Sequence, residues 1–272
     1  MSFQNKTVLI TGASRGIGKA IGIKLAKEGA NIIIASKSIE ENLKLRGTIF
    51  SAAAEIEAAG GKALPVQCDI RDEVQVQNAV DKAVERFGGI DILINNASAI
   101  SLTNTETTEP KRFDLMYDIN VRGTFFVSKA CIPHLKRSTN AHILTLSPPI
   151  NMDMKWFTYH LAYTMSKYNM SMIAMGLAAE LKKYHIASNA LWPRTTIATA
   201  AVNNLLGGEM LMKMSRTTDI VADAAYYILS KSSKECTGNT FIDEHVLANE
   251  GITDLSKYSV MPGSELYNDL FL

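Results

Sequence analysis

The first 25 residues constrain the fold of this chain most strongly. The apolar run Val8–Ile10 is typical of a buried strand. A turn that contains three glycines follows directly, at Gly12, Gly16 and Gly18. An apolar pattern with the period of a helix begins inside the turn, at Ile17, Ile21 and Leu25. The pattern therefore predicts a strand, a tight turn and a helix in immediate succession.

Such a turn is suited to binding phosphate groups. A helix start has unpaired N–H groups and the positive end of the helix dipole, and glycines let the backbone approach a ligand closely. An ordinary βα turn is the alternative, because three glycines are only a weak indicator by themselves. The turn residues that we expect to contact a dinucleotide are Gly12, Ser14, Arg15, Gly16, Ile17 and Gly18.

Length and composition predict one domain. A chain of 272 residues with 47% hydrophobic residues suffices for one α/β domain, which we divide into a core (1–245) and a C-terminal extension (246–272). The net charge of +1 argues against nucleic acid as a partner. Three widely spaced cysteines favour reduced thiols, and the histidines have no metal-ligand spacing. We find no signal segment, membrane span or C-terminal peroxisomal signal, so we expect a cytoplasmic protein.

Strands and helices alternate along the whole chain. Seven strands are predicted, at residues 7–10, 31–35, 63–68, 90–94, 142–146, 186–191 and 239–242. One long helix is predicted from Pro110 to about Arg137, and another around residues 159–183. This alternation predicts an α/β fold, a doubly wound parallel sheet of the Rossmann type with helices on both faces. Ligands of such sheets bind at the carboxyl ends of the strands.

The end of the second strand bears on the choice of cofactor. Proteins that prefer NAD commonly place a carboxylate there, which would repel the 2′-phosphate of NADP. Here Ser36 and Lys37 occupy that position, and Arg15 can bring a second cation to it. We therefore expect NADP(H) rather than NAD(H), with a solvated surface charge as the alternative interpretation of Lys37.

Tyr163 and Lys167 are the candidate catalytic pair. Four residues apart on a helix, they share a face, and a nearby ammonium favours the ionised form of a phenol. The spacing alone is weak, since Tyr227 and Lys231 repeat it. Only the first pair follows a strand that ends in a serine, Ser147, whose hydroxyl could polarise a carbonyl.

Taken together, these residues resemble the short-chain dehydrogenase/reductase family. The resemblance rests on the glycine pattern of residues 11–18, Asp69, Asn95-Asn96-Ala97, Asn120, Ser147 and Tyr163-x-x-x-Lys167, in family order over nearly the whole chain. It implies Tyr163 as proton donor or acceptor, Lys167 as holder of the nicotinamide ribose, Ser147 as orienter of the substrate oxygen and Asn120 as support for a water relay. The further cofactor contacts that it implies are Asp69 at the adenine, Asn96 and Ala97 near the ribose, and Pro193, Thr196 and Thr199 near the nicotinamide or the phosphates.

The chain also departs from the family pattern at three places. Ser98 and Arg194 stand where the family usually has glycine. Ser147 and Tyr163 are farther apart than usual, and Pro148-Pro149 stiffens the start of the connection. These departures affect the backbone near the cofactor and the alignment of the serine.

The long connection between Ser147 and Tyr163 suggests the substrate class. It carries several apolar side chains beside the expected active site, at Ile150, Met152, Met154, Trp156 and Phe157, and Met210, Met212 and Met214 follow strand six. Methionine suits variable apolar ligands, so we expect an apolar carbonyl or alcohol, lipid-like in character. A core or an oligomer interface is the alternative explanation for these side chains.

Other functions on the same fold stay open at this point. A lyase or epimerase would consume substrate without a net change in the cofactor, and a regulator would bind the dinucleotide with little catalysis. The family resemblance also implies a homodimer or homotetramer.

Overall fold

Seven parallel strands form one sheet in the order β3-β2-β1-β4-β5-β6-β7 in a computed structural model that describes residues 2–42 and 45–272. The strands are β1 (Thr7–Thr11), β2 (Asn31–Ser36), β3 (Lys62–Gln67), β4 (Ile92–Asn95), β5 (Ala141–Leu146), β6 (Ile186–Trp192) and β7 (Thr240–Ile242). The predicted α/β fold of the Rossmann type is therefore confirmed.

Helices cover both faces of this sheet. They are α1 (Gly16–Lys27), α2 (Ile49–Ala58), α3 (Glu73–Phe87), α4 (Pro110–Met116), α5 (Thr124–Leu135), α6 (Lys155–Thr158), α7 (Leu161–Glu180), α8 (Gly208–Lys213), α9 (Asp219–Ser230) and α10 (Asp243–Asn249).

Alternate residues of the strands face opposite sides, as strand geometry requires. Val8 and Ile10 of β1 belong to one buried cluster, which includes residues of α1, α2 and α9. Leu9, between them, belongs to a second cluster with residues of α3, α5 and α7. Because both faces are buried, the strands are continuous apolar runs. β1 and β4 are paired neighbours, but the chain continues from them toward opposite edges of the sheet. Such a reversal of strand order leaves a crevice at the carboxyl ends of the two strands.

The prediction of one continuous helix from Pro110 to about Arg137 is wrong. Residues Tyr117–Gly123 form a π-helical segment that separates α4 from α5. Glycine is required at the end of this segment, because a Cβ on Gly123 would lie 2.6 Å from Ile70 Cδ1. Wider π-helical turns often occur at functional sites, and this one contains Asn120.

The C-terminal segment does not separate from the rest of the fold at residue 245. That position lies inside α10, and Leu247 belongs to the first core cluster. Phe271, near the end of the chain, is completely buried in a third cluster that contains Tyr163. The expected boundary between core and extension therefore has no counterpart in the packing.

Candidate active site

A groove of about 1160 Å³ runs along the carboxyl ends of the strands. The expected cofactor residues that line it are Gly12, Ser14, Arg15, Gly16, Ile17, Lys37, Asp69, Asn96, Ala97 and Thr199. The groove therefore brings together residues from widely separated parts of the chain. Its size exceeds that of an ordinary small-molecule pocket and suits an extended ligand.

The glycine turn shapes one wall of the groove. Gly12 and Gly16 have φ angles of +67° and +58°, which residues with a Cβ rarely adopt. Gly18 is required for a different reason, because a Cβ there would lie 2.5 Å from Asn96 Nδ2. That amide donates hydrogen bonds to Thr11 O at 2.9 Å and Gly12 O at 3.2 Å. Asn96 thus braces the turn from the neighbouring strand end.

Cationic side chains gather where β2 ends. Arg15 donates hydrogen bonds through Nη2 to Ser38 Oγ at 2.9 Å and Gly47 O at 2.7 Å, so its guanidinium is held in place. Lys37 is exposed beside it. Arg46 also lines this end of the groove, although the sequence interpretation did not single it out. Its position in a polar connector with no regular period offered no signal.

The expected adenine contact, Asp69, has a partner within the chain. Its carboxylate accepts hydrogen bonds from the guanidinium of Arg71 at 2.5 to 3.1 Å. This interaction, opposed by partial burial, lowers the pKa of Asp69 below its ordinary value. Asp69 is therefore ionised at neutral pH where it meets the groove.

Asn120 joins two parts of the site. Its Oδ1 accepts from Ala99 N at 2.7 Å, and its Nδ2 donates to Ala99 O and Ser166 Oγ, both at 2.9 Å. These bonds link the loop after β4 to α7, which carries Tyr163. Asn120 therefore holds the loop and the helix in register.

Tyr163, Lys167 and Ser147 lie together at the end of β5. Lys167 Nζ donates to Leu146 O at 2.7 Å, directly beside Ser147. Tyr163 lies one turn earlier on the same face of α7. The Ser147 hydroxyl is buried with no hydrogen-bond partner in the described part of the chain, an unusual condition for a buried polar group.

The electrostatics of this group differ from the expectation that Lys167 lowers the tyrosine pKa. Burial raises the pKa of the Tyr163 phenol well above its ordinary value, and the carboxylate of Asp269 raises it further. Burial also lowers the pKa of Lys167 to about 7, although Asp269 opposes that change. Desolvation is the largest cause of both pKa shifts, because charge is costly away from water.

The C-terminal segment contributes to this burial. Phe271 packs on Tyr163 with 6.2 Å between ring centroids. Asp269 is partly exposed as a residue, but burial of its carboxyl group raises its pKa to about 7, while Leu270 N–H and the Lys167 ammonium oppose the rise. Tyr163, Lys167 and Ser147 consequently do not line the groove. No local sequence pattern indicates that this segment packs here.

The expected cofactor residues that follow β6 lie in two different environments. Thr199 lines the groove and would be 3.5 Å from a Cβ on Gly16. Thr196 and Pro193 are buried outside it, and Thr196 Oγ1 is 2.8 Å from Ser215 Oγ. Arg194, at a departure from the family pattern, donates its N–H to Asp243 Oδ1 at 2.8 Å.

The apolar side chains are also divided. Met212 lines the groove, whereas Met152, Met154 and Met210 are at least 70% exposed. Trp156 and Phe157 pack against the buried cluster that contains Tyr163. Only part of the apolar set expected near the active site is therefore found there.

Two features are absent from residues 2–42 and 45–272. No helix in these ranges is both long and apolar enough to cross a bilayer. No group of three or more potential metal-ligating side chains was found there either.

Comparison with known proteins identifies relatives of this arrangement. The chain is 60% identical over 266 residues to hydroxysteroid dehydrogenase-like protein 2 of Rattus norvegicus, which covers 98% of this chain and 50% of that protein. The chain thus spans about half the length of this curated relative.

Solved structures of dehydrogenases are similar to this chain in both fold and sequence. A putative dehydrogenase from Xanthomonas campestris superposes with a TM-score of 0.97 at 51% identity, covering 100% of this chain and 99% of that one. A short chain dehydrogenase from Mycobacterium thermoresistibile gives 0.94 at 55% identity, covering 100% and 96%. More distant structures of the same fold, each 22% identical with a TM-score of 0.73, include one bound to NAD and one in complex with NADP.

A family model described as short chain dehydrogenase matches residues 6–208, which include the glycine turn, Asn120, Ser147, Tyr163 and Lys167. The match covers most of the sheet and the residues around the groove. By this match and by its likeness to the relatives above, the chain belongs to the short-chain dehydrogenase family of oxidoreductases.

Proposed function

We propose that this protein transfers a hydride between NADP(H) and an apolar carbonyl or alcohol. The observation that carries the proposal is the position of Lys167, whose Nζ is held by Leu146 O at 2.7 Å. That bond sets Lys167 beside the unpartnered hydroxyl of Ser147, with Tyr163 on the same helix face. Tyr163, which can carry a proton, and Ser147, which can donate a hydrogen bond to a substrate oxygen, are thus close together.

The groove supports binding of a nicotinamide dinucleotide. The glycine turn would offer backbone N–H groups to the pyrophosphate, and Asp69, which also lines the groove, would contact the adenine. Arg15, Lys37 and Arg46 supply positive charge for a 2′-phosphate, and no carboxylate lines the groove directly after β2 among the described residues. The bound cofactor would supply or accept the hydride.

The chain's own residues handle the proton. Tyr163 would donate it to the substrate oxygen during reduction and remove it during oxidation. Lys167 in its charged form would favour the phenolate, and Ser147 would orient the oxygen by hydrogen bonding. Asn120 would act by holding the loop after β4 against α7.

The walls of the groove favour an apolar substrate. Ile100, Leu115 and Met212 are among the apolar side chains that line it. The curated relatives are named for a likeness to hydroxysteroid dehydrogenases, and steroids are apolar alcohols or ketones. We therefore propose a lipid-like substrate class.

The test compares two tyrosines with the same sequence spacing to lysine. Tyr163→Phe should lower kcat at least about 100-fold with decanal and NADPH, because general acid catalysis commonly contributes that much. Its Kd for NADPH, measured by fluorescence titration, should be unchanged. Tyr227→Phe is the control, since Tyr227 packs against Tyr226 in the first core cluster, away from the groove.

Each result has a defined meaning. Retained turnover in Tyr163→Phe would remove this residue from the proton role. Binding of NADPH with no turnover of any carbonyl would favour a regulator, and substrate loss without net cofactor oxidation would favour a lyase or epimerase.

A homodimer or homotetramer is also proposed. Met165, Met172 and Met175 of α7 are exposed, and they place apolar surface on one long helix. Sedimentation of the purified protein tests this, and a monomer at micromolar concentration would contradict it.

A further inference from the structure

The C-terminal segment from Tyr267 to Leu272, here called the tail, crosses the end of the active site. Three hydrogen bonds to other backbone groups hold it: Thr196 N donates to Tyr267 O at 2.9 Å, Tyr267 N donates to Met214 O at 2.9 Å, and Asp269 N donates to Arg194 O at 3.1 Å. The Asn151 side chain also donates to Phe271 O at 3.4 Å. One indole contact, from Trp192 Nε1 to Leu270 O at 2.9 Å, adds to them. The tail is therefore attached by a few separate bonds and forms no strand of the sheet.

The Phe271 side chain occupies an aromatic cage. Its ring lies 5.2 to 6.2 Å, between centroids, from five other aromatic rings. The cage consists of Trp156, His160, Tyr163, Tyr168 and Trp192. Phe271 is fully buried there, so an apolar group already fills the space next to the Tyr163 phenol.

The backbone of Phe271 is strained. Its φ angle is +76°, in the left-handed region that bulky side chains rarely occupy. Such strain persists only when the surrounding contacts compensate for it. Here the compensating contacts are those of the ring with the cage, and the release of the ring would also release the strain.

The cage is continuous with the groove. Ala99 and Ile100 line the groove and also pack against the cluster that contains Phe271 and Tyr163. A molecule that enters along the groove therefore meets the cage after these two residues. With Phe271 in place, Tyr163 is only 5% exposed, so that molecule has no access to the phenol.

We propose that the tail is a removable plug, and that the apolar part of the substrate displaces Phe271 from the aromatic cage to reach Tyr163. This proposal rests on the proposed function for its substrate class. It identifies the cage as the subsite for an aliphatic chain or an apolar ring. Removal of the tail would also move Asp269 away from Lys167.

The electrostatics agree with a closed, inactive arrangement. Burial raises the pKa of Tyr163 above its ordinary value, which disfavours proton exchange at neutral pH. The carboxylate of Asp269 contributes in the same direction. Displacement of the tail reduces both effects, so the same event admits the substrate and prepares the acid.

The first experiment follows the tail in the wild-type protein. Decan-1-ol is titrated in the presence of NADP, with tryptophan fluorescence as the binding signal, because both tryptophans of the chain contact Phe271. Hydrogen exchange is then measured with and without saturating decan-1-ol. We expect faster exchange at the Asp269 and Thr196 amides, which the tail contacts protect.

The second experiment removes the plug. If Phe271 is seated in at least 90% of the molecules, its removal increases the affinity for decan-1-ol about tenfold or more. Phe271→Ala should show this gain with an unchanged Kd for NADP. Phe3→Ala is the matched control, since Phe3 is also buried but contacts Tyr226 in the first core cluster.

The proposal is overturned if exchange at the tail does not change when decan-1-ol is bound. It is equally overturned if decan-1-ol fails to bind Phe271→Ala or binds it no more tightly than wild type. The exchange measurement remains decisive if that variant does not fold. None of these readouts requires turnover, so a failure of the proposed function appears separately, as absent NADP binding or absent activity.

Discussion

Replacement of Gly18 by alanine should damage both the fold and the groove. The added Cβ would lie 2.5 Å from Asn96 Nδ2 and 3.1 Å from Ala13 Cα. The amide would have to move, and it would lose its hydrogen bonds to Thr11 O and Gly12 O. Each is worth about 1 kcal/mol, and overpacking adds roughly 1 to 3 kcal/mol.

Alanine also stabilises a helix by about 1 kcal/mol relative to glycine, which offsets part of this loss. The expected net destabilisation is about 2 to 4 kcal/mol. Because Asn96 braces the turn that lines the groove, the affinity for NADP should fall about tenfold, or about 1.4 kcal/mol. Urea unfolding measures the first effect and fluorescence titration the second.

Gly22→Ala is the matched control in the same helix. A Cβ at Gly22 would lie 3.2 to 3.5 Å from the side-chain ends of three isoleucines, which can adjust. Its net effect should stay within about 1 kcal/mol, since gained helix propensity offsets mild crowding. Equal unfolding free energies for the two variants would refute the assigned role of the Asn96 brace.

Three further outcomes are expected. Lys37→Ala should weaken NADP(H) binding more than NAD(H) binding in calorimetric titrations, because the lysine would contact only the 2′-phosphate. The free energy of unfolding should fall as the pH rises from about 4 to about 7. The reason is that the folded pKa of Asp269, about 7, exceeds its ordinary value of 3.8, so the folded state holds a proton that the unfolded state has lost. In Asp269→Asn, the free energy of unfolding measured with urea should fall less over this pH range. Part of the remaining fall is due to Asp243, because burial raises the pKa of Asp243 to about 6. Asn120→Asp should lower stability by about 1 to 3 kcal/mol in the same assay, because Ala99 O and Ser166 Oγ lose their donor.

Controls distinguish these outcomes from nonspecific effects. Lys27→Ala removes a cation from the last turn of α1, far from the end of β2, and should leave the cofactor preference unchanged. An equal loss of both cofactors in Lys37→Ala would reject the 2′-phosphate assignment. A pH dependence identical to wild type in Asp269→Asn would show that this carboxyl group is ionised normally.

Much of the fold could be predicted because the relevant patterns are local. The apolar strands, the start of α1 and the bounds of α3 follow from residue spacing and from capping and turn preferences. The i, i+4 relation of Tyr163 and Lys167 is likewise a property of any helix that contains both. The resemblance to a known family then supplied an order for residues far apart in the chain.

Other features escaped sequence interpretation for a physical reason. Gly123, at the end of the π-helical segment, packs against Ile70, a contact across 53 positions of the chain. The cation Arg46 reaches the groove only because the loop after β2 folds back on Arg15. No local spacing encodes either contact.

By itself, the sequence determined the parallel α/β architecture, the glycine turn and the residues that stand at the strand ends, because these depend on periodicity and backbone freedom. Only the tertiary structure decided that the tail returns to the active site, and that Phe271 and Asp269 lie against Tyr163 and Lys167. Burial depends on which distant segments meet, and burial sets the pKa and accessibility of these groups.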